Sequence, residues 1–132
     1  MGLQGKIAEY LPINPFLPSV GQGALAVEIK ASNHEMSDIA SAVNEEQTWQ
    51  CVQAERAFLS TLGGGCRTPI AALGTVSGGL LHLEGMVADS AGTRILRSEE
   101  TGAHDSYVNI GRSLAGKLLS MGAGELLLEK DK

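Results

Sequence analysis

One of the chain's two cysteines, Cys66, stands in a run rich in glycine, Leu62-Gly63-Gly64-Gly65-Cys66-Arg67-Thr68-Pro69. Glycine turns the backbone at little steric cost and leaves room for a ligand to approach the main chain. A thiol presented on such a turn is either a small packed hydrophobe or a point of covalent attachment. Arg67 would favour the thiolate form, whereas the negative end of a preceding helix would disfavour it.

Other cysteine chemistry fits the pattern less well. No histidine lies near Cys66 in the sequence to act as a general base, so a protease-like nucleophile is not indicated. Cys51 and Cys66 form neither a CxxC pair nor a disulfide framework, and no histidine stands at zinc-ligand spacing from either. The loop also lacks the spacing and the lysine of a phosphate-binding loop. Unpaired thiols in an acidic protein indicate a reducing, cytoplasmic compartment.

A second glycine turn, Gly21-Gln22-Gly23, comes before an alternating apolar segment. A dinucleotide fingerprint would follow its strand, so this turn is not one. It is either a hinge or bulge at the start of a strand, or a place where the backbone approaches a ligand. In the second case the side chain of Gln22 offers both a donor and an acceptor.

Composition narrows the class of protein. The 132 residues are 43% hydrophobic and 19% charged, with a formal net charge of −5. This balance is typical of a globular domain, and the acidic excess argues against nucleic acid and anionic membranes as partners. No apolar run approaches the ~20 residues of a membrane span, and the first residues lack the pattern of a signal peptide.

Hydrophobic periodicity predicts an α+β unit from about residue 46 onward. The predicted helices lie at about 34–43, 46–62 and 105–121, and the predicted strands at about 70–76, 80–87 and 93–99. Residues 125–129 fit a short helix or a strand equally well. This order predicts a three-stranded antiparallel sheet covered on one face by helices.

The second helix is expected to carry its polar residues on one face. Gln50, Gln53, Glu55 and Arg56 make up that face, while Cys51 shares the apolar side. The adjacent charges Glu55 and Arg56 are expected to be solvated, which is the usual fate of such pairs, or else to form a contact between domains.

The first 45 residues do not obviously belong to this unit. Pro12, Pro15 and Pro18 predict an extended connector. Residues 24–29 alternate as a half-buried strand does, but no hairpin partner follows, so the strand must join another sheet, in this chain or elsewhere. We therefore predict two parts: residues 1–45, a linker with a strand and a helix from another domain, and residues 46–132, a C-terminal α+β domain.

Three segments in series resemble the porphobilinogen deaminase family, also called hydroxymethylbilane synthase. They are PSVGQGALAVE at 18–28, AERAFL at 54–59 and LGGGCRTPI at 62–70, and a GxSLAxxLLxxGA pattern follows at 111–123. Their order and spacing also match, and the resemblance covers nearly the whole chain.

The resemblance implies a transferase of three domains in the biosynthesis of heme and other tetrapyrroles. Such an enzyme joins four porphobilinogens head to tail into hydroxymethylbilane and releases ammonia at each addition. A dipyrromethane cofactor primes the growing polypyrrole and is held by a thioether to the loop cysteine, here Cys66. Gly65 and Arg67 beside it, with Gln22 and Gly23 in the first matching segment, complete the expected cofactor-binding residues.

The chain departs from the family in what it lacks. The family's arginines that pair with acetate and propionate groups, and its aspartate at the pyrrole nitrogens, lie in the first two domains, which no segment here matches. Lys30 stands where many members have arginine. We therefore expect a C-terminal fragment that needs the missing N-terminal domains, is inactive alone and carries Cys66 without its cofactor. The alternative is a non-catalytic α+β interaction module that pairs, or self-associates, through its exposed strand.

Overall fold

The computed structural model describes residues 2–64 and 68–128. Its helices are α1 (His34–Ala42), α2 (Glu46–Thr61), α3 (Tyr107–Ser120) and α4 (Ala123–Leu128), and its strands are β1 (Ile70–Ser77), β2 (Leu80–Ala88) and β3 (Ile95–Ala103). Short 3₁₀ turns lie at Gln4–Lys6 and His104–Ser106. The α+β class predicted from the sequence is confirmed, and residues 125–128, ambiguous in the sequence, belong to helix α4.

The sheet is an antiparallel meander in the order β1-β2-β3. The turn between β1 and β2 is made by Gly78 and Gly79 with φ of 59° and 78°, values that suit glycine in a two-residue hairpin. Leu80 pairs with Ser77 on one side and with Ala103 on the other.

Strand β3 is shifted from its predicted position at 93–99. The carboxylate of Asp89 accepts the backbone N–H of Thr93 at 2.7 Å and its hydroxyl at 2.6 Å, which holds Thr93 in the turn. These bonds lower the pKa of Asp89. At the other end, pairing with Leu80 carries the strand to Ala103.

Helices α2 and α3 pack against each other and cover one face of the sheet. The core residues alternate along β2 and repeat at helical spacing in the helices: Leu81, Leu83, Val87, Ala54, Phe58, Leu62, Ile110, Leu114, Ala115 and Leu118. At Gly85 a Cβ would lie 2.7 Å from Cζ of Phe58, so the ring packs directly on the strand backbone. Leu126 of α4 closes the end of this core.

Charged side chains mark β3, an edge strand of the sheet. Arg97 donates to the Glu84 carboxylate on β2 at 2.5 Å, and Lys117 of α3 pairs with Glu100 at 2.7 Å. The Lys117 contact lowers the pKa of Glu100. An edge strand that carries such charges is protected against pairing with other strands.

The strand predicted at 24–29 is not formed. Residues 24–30 belong to no helix or strand, and Leu25 is 100% exposed. Alternation gives only a tendency, and a strand needs a second strand to complete its hydrogen bonds. The nearest edge, that of β1, is already occupied, because the N–H of Ala72 donates to the Pro18 carbonyl at 3.1 Å. Helix α1 follows this segment and buries none of its residues.

Candidate functional site

The glycine loop is described only at its two stems, since Gly65, Cys66 and Arg67 lie outside the described residues. After α2 the chain turns at Gly63, and the N–H of Gly64 donates to the Leu59 carbonyl at 3.1 Å. A Cβ on Gly64 would overlap Cδ1 of Ile70 and lie 2.7 Å from Cδ1 of Leu59. The end of α2 and the start of β1 are therefore in close contact, and both ends of the loop lie at packed residues.

The turn at Gln22 closes on itself. The N–H of Gln22 donates to the Ser19 carbonyl at 3.0 Å, and the N–H of Ser19 donates to Oε1 of Gln22 at 3.3 Å. Gly21 and Gly23 adopt φ of 72° and 87°, which glycine reaches without strain. Gln22 and Gly23 are exposed, so both residues are accessible to a ligand.

The expectation that Glu55 is solvated is wrong. Glu55 is only 5% exposed, and its carboxylate accepts the N–H of Gly21 at 2.7 Å and the N–H of Gly74 at 2.9 Å. Burial raises the pKa of Glu55, and the two N–H groups oppose that rise. The missed signal was its spacing: Glu55 follows Cys51 by four residues and precedes Phe58 by three, on the apolar side of α2.

Gln50 was likewise expected on the polar face and is buried. Its side chain bridges two elements: Oε1 lies 2.9 Å from Nδ1 of His104, and Nε2 donates to Glu46 at 3.1 Å. The contact ties the end of the sheet to the first half of α2. Two polar residues of α2, Gln50 and Glu55, are thus buried where the helix contacts the sheet and the segment before residue 24. The sequence pattern assigns both to the solvent-exposed face.

A groove of about 440 Å³ lies between the Gln22 turn, α2 and the edge of β1. Its walls include Gln22, Gly23, Cys51, Glu55 and Gly74. The titratable groups of this wall are Glu45, Cys51 and Glu55, and within the described residues no lysine, arginine or histidine lines it. The groove is therefore suited to neutral or cationic groups rather than to carboxylates.

A larger groove of about 670 Å³ lies on the other side of the turn, between residues 24–29, α1 and α2. Trp49 and Val52 give it an apolar floor, and Arg56 is its basic residue among those described. Glu45 also lines this groove, so among the described residues its one acidic and one basic side chain balance each other.

Cys51, which its place on the apolar side of α2 assigns to the core, is only partly buried and packs against the core from its margin. It is a free cysteine. Burial raises the pKa of its thiol, and the nearby charges of Glu55 and Glu45 raise it further. A thiol held in its neutral form is a poor nucleophile. No cluster of three metal-binding side chains occurs in residues 2–64 and 68–128, and no helix there is long and apolar enough to span a membrane.

Comparisons with a family model and with individual proteins point to the same family. The family model for the C-terminal domain of porphobilinogen deaminase matches residues 49–120. The porphobilinogen deaminase of Alkaliphilus metalliredigens is 44% identical over 127 residues, which cover 96% of this chain and 40% of the relative. That of Moorella thermoacetica is 46% identical over 123 residues, covering 93% and 39%. The chain thus spans about two fifths of the length of the curated relatives it matches.

Proposed function

Because the chain belongs to the porphobilinogen deaminase family, we propose that it is the C-terminal part of an enzyme that condenses four porphobilinogens into hydroxymethylbilane with release of ammonia. This is a transferase reaction of heme and other tetrapyrrole biosynthesis. The observation that carries the proposal is identity of 42–46% over nearly the whole chain, which includes the loop around Cys66.

We propose that Cys66 carries a dipyrromethane cofactor through a thioether. The described stems of the loop fit an attachment point, because Gly64 packs beside the side chains of Leu59 and Ile70. The other thiol, that of Cys51, is half-buried with a raised pKa and does not suit this role. When bound, the cofactor supplies the first two pyrrole units of the growing chain. Gly65, Arg67, Gln22 and Gly23 are the proposed neighbours of the cofactor.

The same residues do not suffice to bind the many carboxylates of a polypyrrole. The groove beside Gln22 presents Glu45 and Glu55, and the cation of the larger groove is Arg56. We therefore propose that further domains supply the binding arginines, with porphobilinogen and the growing polypyrrole as ligands of the assembled enzyme. Residues 1–45 would be a linker with a strand and a helix that belong to the first of those domains, and residues 46–132 would form the cofactor-bearing domain. A cytoplasmic location follows from the need to keep the attachment thiol reduced.

Complementation tests this proposal. The purified chain is mixed with the N-terminal three fifths of the Alkaliphilus metalliredigens relative and with porphobilinogen. Hydroxymethylbilane is measured after it has cyclised to a porphyrinogen and an added oxidant has converted that product to a porphyrin. We expect no product from either part alone and product from the mixture. Cys66→Ser should abolish it, whereas Cys51→Ala should keep most of it, because the Cβ of Cys51 that contacts Gly74 is retained.

Mass spectrometry of the intact chain gives an independent result. Alone, the chain should carry an unmodified Cys66, and after complementation a mass increase of two pyrrole units should map to Cys66. Bilane formation by the chain alone, or attachment at Cys51, would contradict the proposal.

A non-catalytic interaction module is the second candidate, and one observation favours it. Leu25 is 100% and Val27 66% exposed, in a segment that no strand pairs. If these residues mediate self-association, light scattering should show a dimer that Leu25→Ser together with Val27→Ser returns to a monomer. A monomer at high concentration in the unaltered chain would exclude it.

A further inference from the structure

The buried carboxylate of Glu55 is shared by two backbone segments that are far apart in the sequence. Its Oε2 accepts the N–H of Gly21 at 2.7 Å, and its Oε1 accepts the N–H of Gly74 at 2.9 Å. Gly21 lies in the turn that leads to residues 24–30, and Gly74 lies within β1. One side chain of α2 therefore connects the incoming segment to the sheet.

The edge of β1 shows why a carboxylate is needed at this position. The N–H of Ala72 donates directly to the Pro18 carbonyl at 3.1 Å, so residue 18 lies beside the strand. Two residues further along β1, the partners Gly74 and Gly21 both present N–H donors, and two donors cannot bond each other. A carboxylate offers an acceptor to each, whereas a glutamine amide offers one acceptor and turns its NH₂ group towards the second donor.

The arrangement has an electrostatic cost that the two N–H bonds offset only in part. Neither β1 nor residues 18–23 contain a titratable side chain. From α2 and its cap, Cys51 and Glu45 face the same groove, and the adjacent Arg56 is exposed. Burial outweighs the two N–H bonds, so the pKa of Glu55 is raised. An ionised group whose pKa is raised in this way lowers the stability of the fold at neutral pH.

We propose that Glu55 is a positioning residue: its two accepted N–H bonds fix residues 17–23 against the edge of β1, and thereby the point from which residues 24–30 depart. The inference concerns the chain's own architecture and goes beyond the proposed function. Its consequence for that function is that Gln22 and Gly23 are held at a fixed place on the groove wall.

Amide hydrogen exchange of the ¹⁵N-labelled chain, combined with urea unfolding at neutral pH, tests this. In Glu55→Gln we expect the exchange of Gly21, Ala72 and Gly74 to be faster by about tenfold or more, as for the loss of one buried acceptor. The amides that pair β2 with β3 should keep their rates, and unfolding in urea should remain cooperative. Glu46→Gln is the matched control on the same helix, because its partner, the amide of Gln50, can still donate to the new side chain.

Each other result counts against the proposal. A failure to fold or a uniform acceleration of exchange would show that Glu55 supports the whole fold and does not specifically position this segment. Unchanged exchange at Gly21 and Ala72 would show that it does not hold the segment. In the unaltered chain, the amide shifts of Gly21 and Gly74 should titrate with one shared midpoint above the ordinary range for glutamate, and two separate midpoints would contradict a shared carboxylate.

Discussion

Gly74 of β1 and Cys51 of α2 approach so closely that no side chain fits between them. A Cβ on Gly74 would lie 2.9 Å from Cβ and 3.0 Å from Cα of Cys51. This approach brings α2 near enough to the sheet edge for Glu55, one turn further along the helix, to reach the N–H of Gly74. The contact between residues 51 and 74 therefore sets the depth of the groove.

Gly74→Ala should destabilise the fold by about 1–3 kcal/mol, the usual cost of an added methyl group in a packed site. The atoms that the methyl group would meet belong to the backbone and Cβ of Cys51, so they cannot rotate away. Thermal or urea unfolding measures the change, and an unchanged midpoint would show that α2 can withdraw freely.

Gly116→Ala is the matched control, with the opposite sign. Gly116 lies inside α3, and a Cβ there would meet nothing within 4 Å. Alanine in a helix interior is favoured over glycine by about 0.5–1 kcal/mol. The same unfolding assay should show higher stability, and a decrease would mean that the surface of α3 is covered in solution.

Stability should depend on pH through Glu55 in a direction unusual for a carboxyl group. Because its pKa is raised on folding, the folded chain binds the proton more tightly than the unfolded chain. The unaltered chain should therefore lose stability relative to Glu55→Gln as pH rises from the ordinary glutamate pKa through the raised one. Urea midpoints of both proteins across this window measure the difference. Three other carboxyl groups have lowered pKa values, those of Glu45, Asp89 and Glu100. Because both proteins contain them, their contributions to the pH dependence cancel in the difference.

Alkylation should distinguish Cys51 from a typical thiol. Burial and the charges of Glu55 and Glu45 raise the pKa of Cys51, so less thiolate is present at neutral pH. In a Cys66→Ser background, iodoacetamide should react more slowly with the native chain than with the chain in urea, because less of the thiol is ionised in the folded chain. Equal rates would show that this thiol is fully accessible.

Trypsin should cut after Lys30 before it cuts after Arg56 or Arg112. Lys30 is exposed in a segment that belongs to no helix or strand, whereas Arg56 and Arg112 lie within packed helices. Cleavage needs a locally extended chain, which the segment already provides. Mass spectrometry should find a product that begins at residue 31 and still unfolds cooperatively. Early cleavage after Arg112 instead would show that α3 opens more readily than this segment.

The helices and strands of the α+β unit that show a hydrophobic period could be predicted from the sequence, because each of them buries only one face. Alternation along β2 and helical spacing in α2 and α3 gave the correct element types and nearly correct ends. The bounds of β3 could not be predicted, since they depend on the Asp89 side chain bonding Thr93 and on pairing with Leu80. Neither contact leaves a periodic pattern.

The candidate site was predictable only where motifs mark it. The loop around Cys66 and the turn at Gln22 stand out by their glycines, although residues 65–67 lie outside the described residues. Glu55 does not stand out, because a charge beside Arg56 normally indicates a solvated face. Its burial depends on N–H donors from Gly21 and Gly74, which are 34 and 19 residues away in the sequence.

The two edges of the sheet are closed by different means, by charged side chains on β3 and by residue 18 and Glu55 along the middle of β1. Fibrils grow when strands add to such edges, so this sheet is a poor template for amyloid. The apolar residues 24–29 have no such protection. If the chain aggregates on storage, the process should nucleate there, and shielding that short stretch should be enough to keep preparations clear.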